Sequence, residues 1–198
     1  MMRIAVLVSG EGSNMQSIID STKNGNLKGI AQVVLVISNN SNAYALRRAE
    51  NENIKFVCIE ERKNFGNEKS FNGAILEELE KAKTNIVCLA GYMKMIGHVI
   101  IEAYHNRILN IHPALLPKFG GKGMYGHYVH EAVVKAKETE SGATVHFVEK
   151  EYDNGEIIIQ QKIEVFKNDS PEDVAKKVLV IEHQIYPEAI KKIIENKM

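Results

Sequence analysis

The strongest constraint on the fold is an alternation along the chain. Short apolar runs at Ile4–Val8, Val33–Ile37, Lys55–Ile59 and Ile86–Ala90 are separated by amphipathic stretches such as Asn42–Asn51 and Ser70–Lys83. Apolar runs of about four to eight residues, bounded by turn signals, suit strands buried on both faces, and helix-length spacers suit crossover connections. The pattern predicts a Rossmann-like α/β fold, an open and mostly parallel twisted sheet with helices on both faces. Further on, Gly142–Val148 and Glu156–Lys162 read as strands joined through Tyr152-Asp153-Asn154-Gly155, where Asn-Gly is a strong turn signal. The second half is therefore expected to add an antiparallel strand pair.

No Pro/Gly/Ser linker or shift in composition divides the 198 residues, so one domain over 1–198 is expected. Lys plus Arg at 25 balances Asp plus Glu at 25, which leaves no global field for nucleic acid or an anionic membrane. The apolar start Met1–Gly10 is too short for a signal core or a membrane span and reads as the first strand. Cys58 and Cys88 each fall inside an apolar strand-like stretch, which fits core side chains of a reduced, cytoplasmic protein better than a disulfide.

Three local signals add detail. Ser9-Gly-Glu-Gly-Ser-Asn14 lies between the first strand and a helix expected from about Met15, so backbone N–H groups and the helix dipole form an anion site suited to a phosphate monoester. The same residues also suit a tight turn with a Ser or Asn cap, and the loop alone does not decide. Met15 stands where a dinucleotide fingerprint has its third glycine, and strand two ends in Ser38-Asn39-Asn40 without an acid for the ribose. No Gly-Lys-Ser/Thr follows either, which excludes a nucleoside-triphosphate P-loop. Lys118–Gly126 is too rich in glycine for a helix or central strand, and a helix is expected after it, from about Tyr128 to Lys137. Ser170-Pro171-Glu172-Asp173 supplies a cap, a first-turn proline and acids for the dipole of a last helix running to Ile194, with Pro187 expected to kink or interrupt it.

The chemical candidates are Asn110, His112 and Asp153. Asn110 and His112 end a short strand, and residues i and i+2 of a strand point to one face, so both can address one atom. An amide N–H and a protonated imidazole suit a developing oxyanion, and a carboxylate nearby, here Asp153, would raise the His112 pKa. Taken singly, each also has a plain structural reading: a loop cap, a core histidine before proline, a turn former. A metal site drawing on His112, His127, His130 and His146 lacks a paired Glu-x-x-His or cysteine set, and no Gly-x-Ser-x-Gly elbow supports a serine hydrolase.

Taken in order, Ser9–Asn14, Leu89-Ala-Gly-Tyr-Met-Lys94, Asn110-Ile-His-Pro-Ala-Leu-Leu-Pro117, Gly142-Ala-Thr-Val-His146, Asp153-Asn-Gly155 and Glu182-His-Gln-Ile-Tyr-Pro187 resemble the phosphoribosylglycinamide formyltransferase family. The resemblance covers essentially the whole chain. The Asn-x-His plus Asp set is common to the wider superfamily that uses 10-formyltetrahydrofolate, and the Gly-x-Gly-Ser-Asn loop points to the glycinamide ribonucleotide enzymes within it.

The resemblance implies formyl transfer from 10-formyltetrahydrofolate to the primary amine of glycinamide ribonucleotide in purine biosynthesis, with no metal. It implies Asn110, His112 and Asp153 as catalytic residues, and Gly12, Ser13 and Asn14 on the substrate phosphate. Glu182 would hold the ribose, and Lys69, Met93, Lys94, Met95, Ile96 and Asn110 the folate. Small-molecule substrates are the expected partners, without nucleic acid or membrane, for a monomer or homodimer. His98, His105, His130 and His146 are expected to be surface or packing residues. Another folate-dependent formyltransferase or hydrolase, or a noncatalytic binder of phosphorylated metabolites, stands as the alternative.

Overall fold

The computed structural model describes residues 1–60 and 68–196, apart from the side chains of residues 68 and 69. In chain order the elements are β1 (Met2–Val8), α1 (Ser13–Asn24), β2 (Ala31–Ser38), α2 (Tyr44–Asn51), β3 (Phe56–Cys58), α3 (Glu68–Lys81), β4 (Ile86–Leu89), α4 (His98–Ala103), β5 (Ile108–His112), α5 (His127–Lys135), β6 (Glu140–Phe147), β7 (Ile157–Glu164) and α6 (Pro171–Glu195). The seven strands form one sheet in the order β3-β2-β1-β4-β5-β6-β7. From β3 to β5 every pairing is parallel, and β6 is antiparallel to both β5 and β7. The expected open, mostly parallel sheet with an antiparallel pair in its second half is what the chain forms.

Alternation along each strand divides the core. Ile4, Val6 and Val8 of β1 join Ile86 and Cys88 of β4 on one face, packed with α1 and α6, while Ala5, Leu7, Val87 and Leu89 join Phe71, Ile75 and Leu79 of α3 on the other. Each such fully buried aliphatic side chain contributes about 1.5–3 kcal/mol, so the central strands are fixed in register by having no solvent face to slip toward. Asn110 and His112 share their strand parity with Ile108, which belongs to the α3 side of the core.

α6 opens with the expected capping box: Ser170 Oγ accepts from the Asp173 N–H at 3.2 Å, and the Asp173 carboxylate accepts from the Ser170 N–H at 3.1 Å. Pro187 does not interrupt this helix, which runs unbroken to Glu195. A proline removes one intrahelical hydrogen bond at a cost of about 3 kcal/mol. Ile185, Tyr186, Ala189 and Ile190 around it are fully buried, and that packing outweighs the local penalty. Tyr186 itself ties the helix to the strand ends, its hydroxyl lying 2.9 Å from the Leu89 carbonyl and 3.0 Å from that of Leu109.

Candidate active site

The carboxyl ends of β4 and β5 open onto a cleft of about 750 Å³, walled further by the Lys122–Gly126 loop, the turn around Asp153 and one face of α6. A crevice at the carboxyl ends of parallel strands is the usual ligand position in such a sheet. Asn14, Met93, Lys94, Met95, Ile96, Asn110, His112, Asp153 and Glu182 all line it. Gly12 and Ser13 sit beside Asn14 at the start of α1 rather than in the cleft wall. The side chain of Lys69 lies outside the described residues.

At the β5 end each polar group has several neighbours. His112 is 3% exposed, and its Nε2–H donates to the Phe119 carbonyl at 2.8 Å while Nδ1 lies 3.6 Å from Asp153 Oδ2. Asp153 accepts from the Gly121 N–H at 2.9 Å, and its other oxygen stands 3.5 Å from His146 Nε2. Asn110 Nδ2 is 3.2 Å from that same His146 nitrogen. Thr144 pins the segment leaving β5: its hydroxyl donates to the Ala114 carbonyl at 2.6 Å and accepts from the Leu116 N–H at 3.2 Å. The turn carrying Asp153 is equally constrained, with φ +52° at Asp153 and, at Gly155, a backbone so close to Phe147 that an added Cβ would stand 1.9 Å from its carbonyl oxygen. Only glycine permits that approach.

The charge balance corrects one sequence expectation. Asp153 does raise the His112 pKa, as does the Phe119 carbonyl, but burial lowers it by more and His146 lowers it further, so His112 lies below the usual histidine range in the empty cleft. Burial also works against the Asp153 carboxylate, yet the neighbouring His146, His112 and Gly121 N–H together keep its pKa below the usual range. The pair is therefore a carboxylate facing a largely neutral imidazole at neutral pH.

The other end of the cleft is built on helices. Gly12 caps α1 at φ +73°, no side chain caps the first turn, and a Cβ on Gly12 would stand 2.6 Å from Ala45 Cβ. No capping oxygen competes for the first-turn N–H groups of α1, an arrangement that suits an anion. Asn14 Nδ2 donates to Glu182 Oε2 at 2.7 Å, while Asn14 Oδ1 is buried without a partner. Burial pushes the Glu182 carboxyl up to about 7 against the opposing hydrogen bond from Asn14. Ser9 Oγ accepts from the Met93 N–H at 2.7 Å, holding the Met93–Ile96 wall against the end of β1. Met93 and Met95 are half exposed, whereas Ile96 is buried.

The four histidines expected to be surface or packing residues divide accordingly, two of them also bordering the cleft. His98 and His105 are exposed, but His130 and His146 are buried in the cleft wall. His130 is pushed down to about 4 by burial and by His127 and His112, and its Nδ1 has no partner. His146 lies directly across the β5–β6 ladder from Asn110. The sequence pairs β6 with β7 through the Asp-Asn-Gly turn but carries no local signal for the β5–β6 pairing or its register, which is what aligns His146 with Asn110. Among the described residues no cluster of His, Cys, Asp and Glu is arranged to hold a metal ion.

Comparison with known proteins follows the same lines. The formyl transferase family profile matches residues 2–190. The chain belongs to the formyl transferase family. Within that family it is 39% identical over 198 residues to the phosphoribosylglycinamide formyltransferase of Haemophilus influenzae, covering 100% of this chain and 90% of that one. It is 39% identical over 196 residues to the chloroplastic phosphoribosylglycinamide formyltransferase of Arabidopsis thaliana, where it spans 99% of its own length and 66% of the plant protein. The crystal structure of glycinamide ribonucleotide transformylase 1 from Symbiobacterium toebii superposes with a TM-score of 0.92 at 37% identity, covering 99% of this chain and 89% of that one. As a formyl transferase of the phosphoribosylglycinamide type, the chain is an enzyme of one-carbon transfer, and no helix among the described residues is long and apolar enough to cross a membrane.

Proposed function

We propose that this formyl transferase moves the formyl group of 10-formyltetrahydrofolate to the primary amine of 5-phosphoribosylglycinamide, in purine biosynthesis in the cytoplasm. The observation that carries the reading is one cleft with an amide, an imidazole and a carboxylate at the β5 end and an uncapped helix N-terminus beside a buried carboxyl at the other. The two ends suit a reacting formyl group and a sugar phosphate, respectively.

In this reading the amine nitrogen attacks the formyl carbon, the carbonyl oxygen becomes an oxyanion, and the carbon–N10 bond of the folate then breaks. Asn110 donates an N–H to the oxyanion. His112, neutral in the empty cleft because of burial, gains a counter-charge as the oxyanion forms; a proton taken up from solvent then makes it an imidazolium that stabilises the transition state more than the ground state. Asp153, 3.6 Å from His112 Nδ1, balances that imidazolium and accepts the proton lost by the amine, directly or through water. The leaving N10 takes up the proton that Asp153 received from the amine, directly or through water, which returns Asp153 to its carboxylate, so no acyl-enzyme and no metal enter the sequence. The first-turn N–H groups at Gly12, Ser13 and Asn14 hold the phosphate, and Glu182, able to donate or accept near neutral pH, holds a ribose hydroxyl. Met93, Lys94, Met95 and Ile96 line the folate side together with Asn110, and Lys69 is assigned to the folate by resemblance alone.

A formyl-transfer assay with both substrates tests the proposal. Formylation of the ribonucleotide, dependent on both, is expected; release of formate from the folate at the same rate without the amine substrate would overturn it in favour of a hydrolase.

A further inference from the structure

The loop between β1 and α1, assigned above to the phosphate, is gripped from behind by one segment. Asn40 Nδ2 donates to the Ser9 carbonyl at 3.0 Å, the Ala45 N–H to the Gly10 carbonyl at 3.1 Å, and the Arg48 Nε–H to the Glu11 carbonyl at 2.9 Å. Three consecutive carbonyls are thus held by residues 40–48, which form the turn before α2 and most of α2 itself. In a planar trans peptide the N–H points opposite to the C=O, and among the described residues only Leu116–Pro117 is cis. Each grip therefore turns the next N–H, of Gly10, Glu11 and Gly12 respectively, away from the donor that makes it. Among the described residues nothing accepts from the Gly12 or Ser13 N–H.

The last of the three grips has the most to control. The helical ladder of α1 begins one residue later, with the Gly12 carbonyl accepting from the Gln16 N–H at 2.9 Å, so the Glu11 carbonyl has no donor within the helix. Gly12 is required by its close approach to Ala45, but it also frees the Glu11–Gly12 peptide to flip, because such a flip changes mainly the ψ of Glu11 and the φ of Gly12, and glycine accepts either sign of φ. A flipped peptide would put a carbonyl oxygen where the Gly12 N–H now points, an acceptor in place of a donor in front of an anion. Arg48 is itself steadied, its guanidinium carbon lying 5.0 Å from the ring centroid of Tyr44 one turn earlier in α2. Its charge also reaches α6, where it adds to burial in lowering the pKa of His183, the neighbour of Glu182.

We propose that Arg48 is a positioning residue for the phosphate of the ribonucleotide: its Nε–H locks the Glu11–Gly12 peptide with the Gly12 N–H turned toward the anion. The kinetic consequence rests on the formyl-transfer reading, whereas the lock is a property of the protein without substrate.

The test uses Arg48→Gln, whose side-chain N–H₂ stands at the same point along the side chain as the arginine Nε–H but carries no charge, and Arg48→Met, which has similar length and no donor. Thermal melts establish that each variant is folded. Arg48→Met is expected to raise KM for the ribonucleotide about 10-fold, with kcat and KM for the folate within about 3-fold of the parent. Arg48→Gln is expected to restore KM to within about 3-fold, and kcat/KM for glycinamide riboside, which lacks the phosphate, should be the same in all three proteins. An unchanged KM in Arg48→Met, an equal loss with the riboside, or a kcat that falls in place of the rise in KM would each overturn the assignment. A glutamine variant as poor as methionine would overturn it in favour of attraction by the arginine charge. NMR of the substrate-free proteins separates the lock from the reaction. Residual dipolar couplings should give the Gly12 N–H one orientation in the parent and in Arg48→Gln, and a different or averaged one in Arg48→Met. The parent orientation retained in Arg48→Met would overturn the lock even if no formyl transfer were observed.

Discussion

The two ends of the cleft solve different problems. At the β5 end, Asn110, His112 and Asp153 are each held by neighbours from other segments: His146 for Asn110, the Phe119 carbonyl for His112, and the Gly121 N–H for Asp153. At the α1–α6 end, Asn14 and Glu182 hold each other, but Asn14 Oδ1 is buried with no partner and the α1 N-terminus has no side-chain cap. The first end is organised in the empty protein. The second is complete only with something bound, because a buried polar atom without a partner costs about 1–3 kcal/mol that a ligand can relieve. Preorganisation is what a reacting centre needs, and unmet hydrogen-bonding capacity is what a recognition site offers.

Variants at the two ends should therefore fail in different ways. The largest effect is expected for His112→Ala, which removes both the oxyanion partner and the mate of Asp153: kcat should fall about 10³-fold, with both KM values nearly unchanged in steady-state assays. A rise in KM at constant kcat would erase the contrast between the ends.

Glu182→Gln probes the other end through stability. Its carboxyl rises from 4.5 in a solvated chain to about 7 in the folded protein. Between those values the folded state holds a proton that the unfolded state has lost, so this group's contribution to stability is full below about 4.5, declines as pH rises, and is gone above about 7. The full span corresponds to about 3 kcal/mol. Thermal or urea melts from pH 4 to pH 8 should show the difference between parent and Glu182→Gln growing in the variant's favour by up to about that amount. A difference flat with pH would mean that the carboxyl is not buried with its proton.

The smallest effect is expected between the ends, at Tyr186→Phe. Losing the hydroxyl leaves the Leu89 and Leu109 carbonyls without that donor, and urea unfolding should report a loss of about 1–2 kcal/mol with little change in kinetics. A kcat loss as large as that of His112→Ala would show that the hydroxyl sets the position of Asn110 as well as the packing of α6.

Most of the frame was legible because its signals are local. Buried strands such as Ile4–Val8 and Ile86–Leu89 announce themselves as short apolar runs, the Ser170–Asp173 cap is contiguous, and the shared face of Asn110 and His112 follows from strand periodicity. What depended on contacts between distant segments was not. The six-residue helix α4 has no capping side chain to mark its start, and its burial of Ile100 and Ile101 depends on α3. The continuity of α6 through Pro187 depends on core packing rather than on propensity. His146 enters the site through the β5–β6 register, which pairs residues 36 apart in sequence. The sign of the His112 shift was misjudged for the same reason: proximity to Asp153 follows from the motif, but the burial that outweighs it is set by the whole surrounding fold.

The division between the ends is tested most directly by the kinetics of Asp153→Asn, assayed with the folate and ribonucleotide substrates varied in turn. This substitution keeps the shape of the turn and an oxygen to accept from the Gly121 N–H but removes the charge beside His112. The expected result is a kcat lowered at least about 100-fold with KM for the ribonucleotide within about 3-fold of the parent. A kcat near that of the parent, or a KM for the ribonucleotide that rises in its place, would contradict the account.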